Sequence, residues 1–300
     1  MTRRIAEIEI HLLADSNVQL EGVLGEAGFA ALVSVTYDDS SEFQFLFDTG
    51  YGTPALEYNA AAMRHSYKRN LSSIELIILS HGHCDHVAGV LKVLSLIKKR
   101  VPVLCHPDAL LHKIFTSDDG KKHEIGIHEY YDTSELEANA KVITTRNPYH
   151  IADGIMTTGV VARTDDFERL TGELQKIVTV RDGAEVPDLI EDDLSVIFHL
   201  KDDSVVILTG CCHSGIVNTV NHAVSLTGSS SVVGIVGGLH LHDAPSERLN
   251  RTIQHISQYP LSTLGACHCT GLKGRAALMN AFKDSFKDVG AGSLLKFQSR

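Results

Sequence analysis

Tryptophan is absent from the 300 residues, so no bulky indole anchors the core. Aliphatic side chains take that role, and a hydrophobic content of 43% is enough for one large domain or two closely joined ones. Positive charge is also scarce. Lys and Arg number 27 against 37 Asp and Glu, a formal net charge of -10. Lys98-Lys99-Arg100 is the one basic run. A phosphate backbone needs a concentrated positive surface, so nucleic acid is not an expected partner. No apolar run has the length to cross a bilayer, and the Met-Thr-Arg-Arg start leads into an alternating pattern rather than a secretion segment. A cytoplasmic chain without a membrane partner is expected. Cysteines stand at 84, 105, 211, 212, 267 and 269, mostly beside histidines and at the ends of apolar runs. That placement suits a reducing compartment better than a disulfide framework.

What the chain does have is His81-Gly82-His83-Cys84-Asp85-His86, four potential metal ligands in six residues, directly after the apolar segment 74–80. Strands are expected over 6–13, 31–37, 43–47 and 76–79, with a helix over about 54–70. Val87, Val90, Leu91, Leu94 and Ile97 recur at helical spacing, and a strand over 101–105 completes a β-α-β unit. The histidine cluster thus falls in a strand-to-helix connection, where open α/β sheets hold ligands.

Residues 116–193 are more polar and read as a cap or long-loop insertion, or as ordinary surface. Strands are expected there over 125–131, 141–145 and 177–180, and loops over 164–172 and 182–193. Beyond it come a hairpin (194–200, 205–208), a helix (216–226), a strand (232–236), a helix (246–259), a strand (263–266), a helix (274–286) and a strand (293–297). A single α/β domain over 1–300, with two facing sheets and helices outside, satisfies both faces of each sheet.

Imidazole and carboxylate are suitable ligands for zinc, iron or manganese. His81 and His83 are expected to share one ion, while Asp85 and His86 face a second; the alternative is a hydrogen-bonded turn without metal. Asp85 is also placed to hold or deprotonate water. Two later segments repeat the context of a strand followed by ligands, Gly210-Cys211-Cys212-His213-Ser214-Gly215 and Cys267-His268-Cys269-Thr270-Gly271. His213 and His268 are expected either to complete the two shells or to hydrogen-bond just outside them. His106 competes with His213 as a ligand. His240 reads as a hydrogen-bond donor to an oxyanion or a catalytic acid, or else as a local contact; His242 is a weaker candidate. Asp48, in Phe47-Asp48-Thr49-Gly50, is expected to orient His83 or His86, or to make a simple Asx turn.

Asp48-Thr49-Gly50 and the His81–His86 signature together resemble those of metallo-β-lactamase-fold proteins. Thr209 to Asn218, Gly237-Gly238-Leu239-His240-Leu241 and Cys267 to Gly271 are similar to the branch containing dihydropterin-ribofuranosylaminobenzene 5'-phosphate synthase. The resemblance implies an αββα sandwich of two facing mixed sheets with a metal site along the open edge. It implies one or two divalent ions, zinc foremost, with Mn, Fe or Mg as alternatives. It assigns His213 to the first site and His268 to the second. Where that fold usually carries a bridging aspartate, this chain has Cys211, which implies either a softer ion or a lost bridge. The implied activity is hydrolysis of a small phosphorylated or ester substrate. Alternatives are a pterin-condensing transferase of methanopterin-type cofactor biosynthesis and a non-catalytic metal- or ligand-binding module. A small phosphorylated molecule, with a pterin as one candidate, is the expected partner. Arg64, Arg163 and Lys273 are candidates to meet phosphate, and Tyr130, Tyr131, Tyr149 and Phe167 to cover a ring, against ordinary surface or packing roles for each.

Overall fold

The computed structural model of the chain describes residues 3–67 and 70–300. Met1 and Thr2, where no secretion segment is read, and Lys68 and Arg69, near the end of the helix expected over 54–70, lie outside the described residues. That helix runs Pro54–Tyr67.

Seven strands form the first sheet, in the order Leu294–Gln298, Ile5–Ala14, Ala30–Tyr37, Glu42–Phe47, Leu76–Ile78, Pro102–Cys105 and Lys141–Thr144. Six form the second, in the order Thr263–Cys267, Val232–Gly238, Val205–Thr209, Ser195–His199, Ile155–Thr157 and Tyr149–Ala152. Both sheets are mixed: Glu42–Phe47, Leu76–Ile78 and Pro102–Cys105 run parallel in the first, and Val205–Thr209, Val232–Gly238 and Thr263–Cys267 in the second.

Side-chain alternation divides the core into layers. Val33, Val35, Phe45 and Phe47 of the first sheet meet Val196, Phe198, Val206 and Leu208 of the second in one inner cluster. Leu32, Leu46 and Ile77 face outward, onto Leu56, Val90 and Leu94 of the helices Pro54–Tyr67 and Val90–Ile97. Ile197, Ile207 and Ile235 face outward onto Val220, Leu249 and Leu278 of the helices Ile216–Thr227, Ser246–Ile256 and Gly271–Phe282. The result is the expected α/β sandwich, helices outside two facing sheets.

Local departures have physical reasons. The helical pattern after the histidine cluster splits into Cys84–Val87 and Val90–Ile97. At the break, a Cβ on Gly89 would stand 2.1 Å from the Thr49 carbonyl oxygen, so the chain needs glycine where it crosses that loop. The strand expected over 125–131 is instead a short 3-10 turn, Ile127–Glu129. Ile125 and Ile127 imitate a strand pattern, but Glu124 accepts from the amide of Gly126 at 3.0 Å and turns the chain. The loop expected over 182–193 contains a strand, Ala184–Pro187. It pairs in a third, four-stranded sheet with Ile177–Arg181, Lys113–Thr116 and Lys122–Glu124. The segment 116–193 also supplies edge strands to both main sheets, Lys141–Thr144 to the first and Tyr149–Ala152 and Ile155–Thr157 to the second. The last helix begins three residues earlier than expected, at Gly271, and ends at Phe282. Among the described residues no helix is long and apolar enough to cross a membrane.

Candidate metal centre

The parallel strands of the two sheets end at one edge, and the turns that follow them carry the candidate ligands. Gly210 joins the halves: a Cβ there would lie 2.2 Å from Ser80 Oγ and 2.9 Å from Asp48 Oδ2, so only glycine admits this approach. Asp48, Cys212, His240 and His268 have left-handed backbone, with φ of 59°, 59°, 46° and 50°. For non-glycine residues such strain persists only where surrounding contacts enforce it, and it concentrates at functional sites.

Two groups of ligand atoms converge. In the first, His81 Nε2 lies 3.0 Å from His83 Nδ1 and 3.3 Å from His213 Nε2, all three side chains being buried. In the second, His268 Nε2 lies 3.3 Å from Asp85 Oδ2 and 3.2 Å from His86 Nε2. The run from His81 to His86 is thus brought together with His213 and His268, and His81 also groups with His86. Cys211 Sγ, 3.2 Å from His86 Nε2, groups with His81 and His86, with His213 and His240, and with His268 and Cys269. It therefore stands between the two triads.

The first triad suits a cation. Burial, with the charges of neighbouring histidines, holds His81 well below its ordinary pKa, and burial with the Lys113 charge lowers His83 to about 4. Burial and the His240 charge likewise depress His213. Three neutral imidazoles pointing nitrogens at one point cannot all be satisfied by shared protons. Their separations match the edge of a zinc tetrahedron with 2.0–2.1 Å Zn–N bonds, about 3.3 Å. In the second triad, burial alone would raise Asp85, but the charge of His86 and the bond from His268 hold it below the usual carboxylate range. Burial would lower His268, but Asp85 and the Cys269 charge raise it to about 9.

A hydrogen-bond chain beneath the ligands sets their tautomers. Asp48 Oδ2 lies 2.7 Å from His86 Nδ1 and accepts from Ser80 Oγ at 2.7 Å, while its Oδ1 accepts from the Ser80 amide at 2.7 Å. With its proton committed to Asp48, Ser80 Oγ accepts from His81 Nδ1 at 2.9 Å. Both histidines then carry Nδ1–H and present Nε2 lone pairs to the centre. Asp48 thus serves His86 directly and His81 through Ser80, a residue not read as functional in the sequence. Asp48→Asn is expected to weaken metal affinity by about 10–100-fold, the usual effect of losing such a partner. Chelator competition measures it, and unchanged affinity would reject the orienting role.

Other residues, of which the sequence singled out only Arg163, hold the frame. Lys113, fully buried, pairs with Asp188 Oδ2 at 2.7 Å and Asp192 Oδ1 at 3.0 Å. Asp192 Oδ2 accepts from the Gly82 amide at 2.7 Å, inside the histidine turn. Asp193 Oδ2 accepts from the Ser214 amide at 2.9 Å, and Asp15 Oδ2 from the His268 amide at 2.8 Å. Arg163 donates to the His213 carbonyl at 3.3 Å. Glu168 caps the helix Ile216–Thr227, accepting from Val217 and Asn218 amides at 2.9 and 2.8 Å. Burial pushes Glu168 up to about 7 against those two bonds.

The remaining candidates are placed as follows. His240 groups with Cys211 and His213, and its Nδ1 is buried without a hydrogen-bond partner. His242 is exposed. His106 enters none of the converging groups found among the described residues. Its Nδ1 accepts from the Asp108 amide at 3.0 Å, and Asp108 binds Arg146 and Arg181, so it braces the small sheet. Lys273 donates to the Ala244 carbonyl, and Arg64 is exposed on its helix. Tyr131 is buried with its hydroxyl donating to Val87, Phe167 lies under Arg251, and Tyr149 is partly exposed. Tyr130 is exposed and meets Tyr51 edge-on; the Tyr51 hydroxyl accepts from Cys84 Sγ.

Fold and site together match the metallo-β-lactamase architecture, and residues 44–165 match the β-lactamase superfamily domain. Over 300 residues, 98% of each chain, it is 27% identical to 7,8-dihydropterin-6-methyl-4-(beta-D-ribofuranosyl)-aminobenzene-5'-phosphate synthase of Methanocaldococcus jannaschii. It is 29% identical over 270 residues to MJ0448, an uncharacterized protein of the same organism, covering 90% of this chain and 93% of that one. The crystal structure of Tm1679, a metal-dependent hydrolase of the β-lactamase superfamily, has the same fold, with a TM-score of 0.76, 24% identity and coverage of 97% of this chain and 100% of the other.

Proposed function

We propose that the protein is a metal-dependent hydrolase acting on a small phosphorylated or ester substrate. The observation that carries this reading is the pair of convergent triads, His81, His83, His213 and Asp85, His86, His268, with Cys211 between them. The two triads would hold divalent ions, zinc foremost, which would supply Lewis acidity and a water made nucleophilic near neutral pH.

The chain's own groups do the rest. Asp85, held ionised, suits a ligand better than a general base, which needs a pKa near the working pH. His240, with its unpartnered Nδ1 beside His213, is the proton donor to a leaving oxygen. A cavity of about 560 Å³ lined by Arg163, Arg169, Asp188, Glu191, Leu170 and Leu189 suits a small molecule with charged and apolar parts. Arg163 links this cavity to the centre through its bond to the His213 carbonyl.

A second reading, a transferase condensing a pterin diphosphate with an aminobenzene ribose phosphate, rests on the relationship over 98% of the chain to the synthase named above. The exposed Tyr130 beside Tyr51 is an aromatic surface for a flat ring in that case. A cytoplasmic location accords with either reaction. The deciding experiment compares metal-loaded protein on phosphodiester, ester and diphosphate substrates with the two condensation substrates together. Hydrolysis lost on chelation and restored by metal is the expected result. Condensed product without hydrolysis would move the assignment to the second reading, and firmly bound metal without any turnover would leave a binding module.

A further inference from the structure

The sequence motif around His268 contains a second sulfur that the two triads do not use. Cys269 Sγ, Cys211 Sγ and a ring nitrogen of His268 lie within 4.8 Å of one another. We propose that Cys211 and Cys269 form a thiolate pair that, with His268, gives the second cation position a sulfur-rich shell selective for soft divalent ions. This rests on the metal-dependent reading above.

Three observations support it. First, Cys211 takes the place between the triads and Cys269 approaches it from the same end of the next-but-one strand, donating to the Cys211 carbonyl at 3.4 Å. Second, the backbone amide of His240 donates to Cys269 Sγ at 3.3 Å. An amide directed at sulfur is the outer partner that metal-bound thiolates commonly have. Third, the surrounding chain makes room for the sulfur: a Cβ on Gly238 would lie 2.6 Å from Cys269 Sγ. The turn is also fixed from behind, Asp15 accepting from the His268 amide and Thr270 Oγ1 from the Leu239 amide. All six cysteines are free, so both sulfurs are available as ligands.

Thiolate donors favour zinc, cadmium and cobalt and disfavour magnesium, whose ligands are oxygens. The two halves of the centre therefore differ in chemistry: an all-imidazole first position and a mixed thiolate, imidazole and carboxylate second position.

The test is a titration of the metal-depleted full-length protein with Co²⁺, and separately with Cd²⁺, under reducing conditions. The expected result is two bound equivalents, with thiolate-to-metal charge-transfer absorption developing with only one of them. Cys269→Ser is expected to reduce that band by about half and lower affinity for the corresponding equivalent by at least about 100-fold, beyond the effect of an outer partner. The other equivalent stays within a few-fold. Two equivalents bound with no charge-transfer band would overturn the thiolate assignment while leaving the metal-dependent reading intact. Failure to bind either ion would overturn both. The intensity of the wild-type band counts its thiolates, one for Cys211 alone and two for the pair, so a serine variant that fails to fold does not weaken the test.

Discussion

His83→Ala is expected to lose the cation of the first triad and to lower kcat/KM by on the order of 10³-fold, as removal of several kcal/mol of Lewis-acid stabilisation implies. His83 contributes one of three converging nitrogens, 3.0 Å from His81 Nε2, and no other side chain in that group replaces it. The substitution also separates two effects on stability. With metal in excess, wild-type protein gains about 4 kcal/mol at a thousandfold excess over Kd, and the variant does not share that gain. Without metal, the variant no longer crowds three lone pairs together, so its Tm is expected to match or exceed that of the wild type.

The same residue fixes the sign of a pH effect in the metal-free protein. Burial, with the Lys113 charge, lowers His83 from 6.5 to about 4. The unfolded chain binds its proton first, so the contribution of His83 is fully present above pH 6.5 and is lost as pH falls toward 4. His83→Ala removes part of that acid sensitivity. Metal analysis, steady-state kinetics and calorimetry with and without chelator check these points; undiminished metal content and turnover would reject His83 as a ligand.

Lys113→Met is expected to destabilise the fold by about 3–5 kcal/mol, the cost of removing one partner from a buried ionic group. The ammonium is fully buried and lies within 3.0 Å of both Asp188 and Asp192, so methionine leaves two carboxylates without compensation. Asp192 also accepts from the Gly82 amide, so the loss reaches the histidine turn. Urea denaturation of metal-free protein measures the stability, and metal affinity is expected to fall in parallel. A loss under about 1 kcal/mol would place Lys113 among the surface-type pairs, whose contribution is small.

The two residues also mark the boundary of what sequence reading reaches. His81, His83, Asp85 and His86 stand out because a tight turn between strand and helix concentrates them within six positions. His213 and His268 stand out because each repeats that context at another strand end. Lys113 does not, because Lys-Ile-Phe-Thr reads as an ordinary half-exposed strand; its burial depends on carboxylates more than seventy positions away. Cys269 adjoins a recognised ligand, yet only the parallel pairing of Val205–Thr209 and Thr263–Cys267 on either side of Val232–Gly238 brings it to Cys211. Asp48 is legible as an orienting carboxylate, but its choice of His86 and its reach to His81 depend on the placement of Ser80. The two sheets and their outer helices follow from alternation and helical spacing. The third sheet follows only in part: a strand over 177–180 is legible, but its partners are three or four residues long and its two hairpins join only across the distant strands Lys113–Thr116 and Ile177–Arg181.

Glu168 and Arg163 belong to the middle segment, yet both grip the turn that carries His213, one at the helix amides and the other at the His213 carbonyl. That segment therefore cannot lift away while the His213 turn stays in place. An ion held at the first position would then exchange through a joint opening of both, at a rate set by the free energy of that local unfolding as well as by ligand strength. Because burial pushes Glu168 up to about 7, the latch would gain charge as pH rises through neutrality, and ion residence time would follow pH with it.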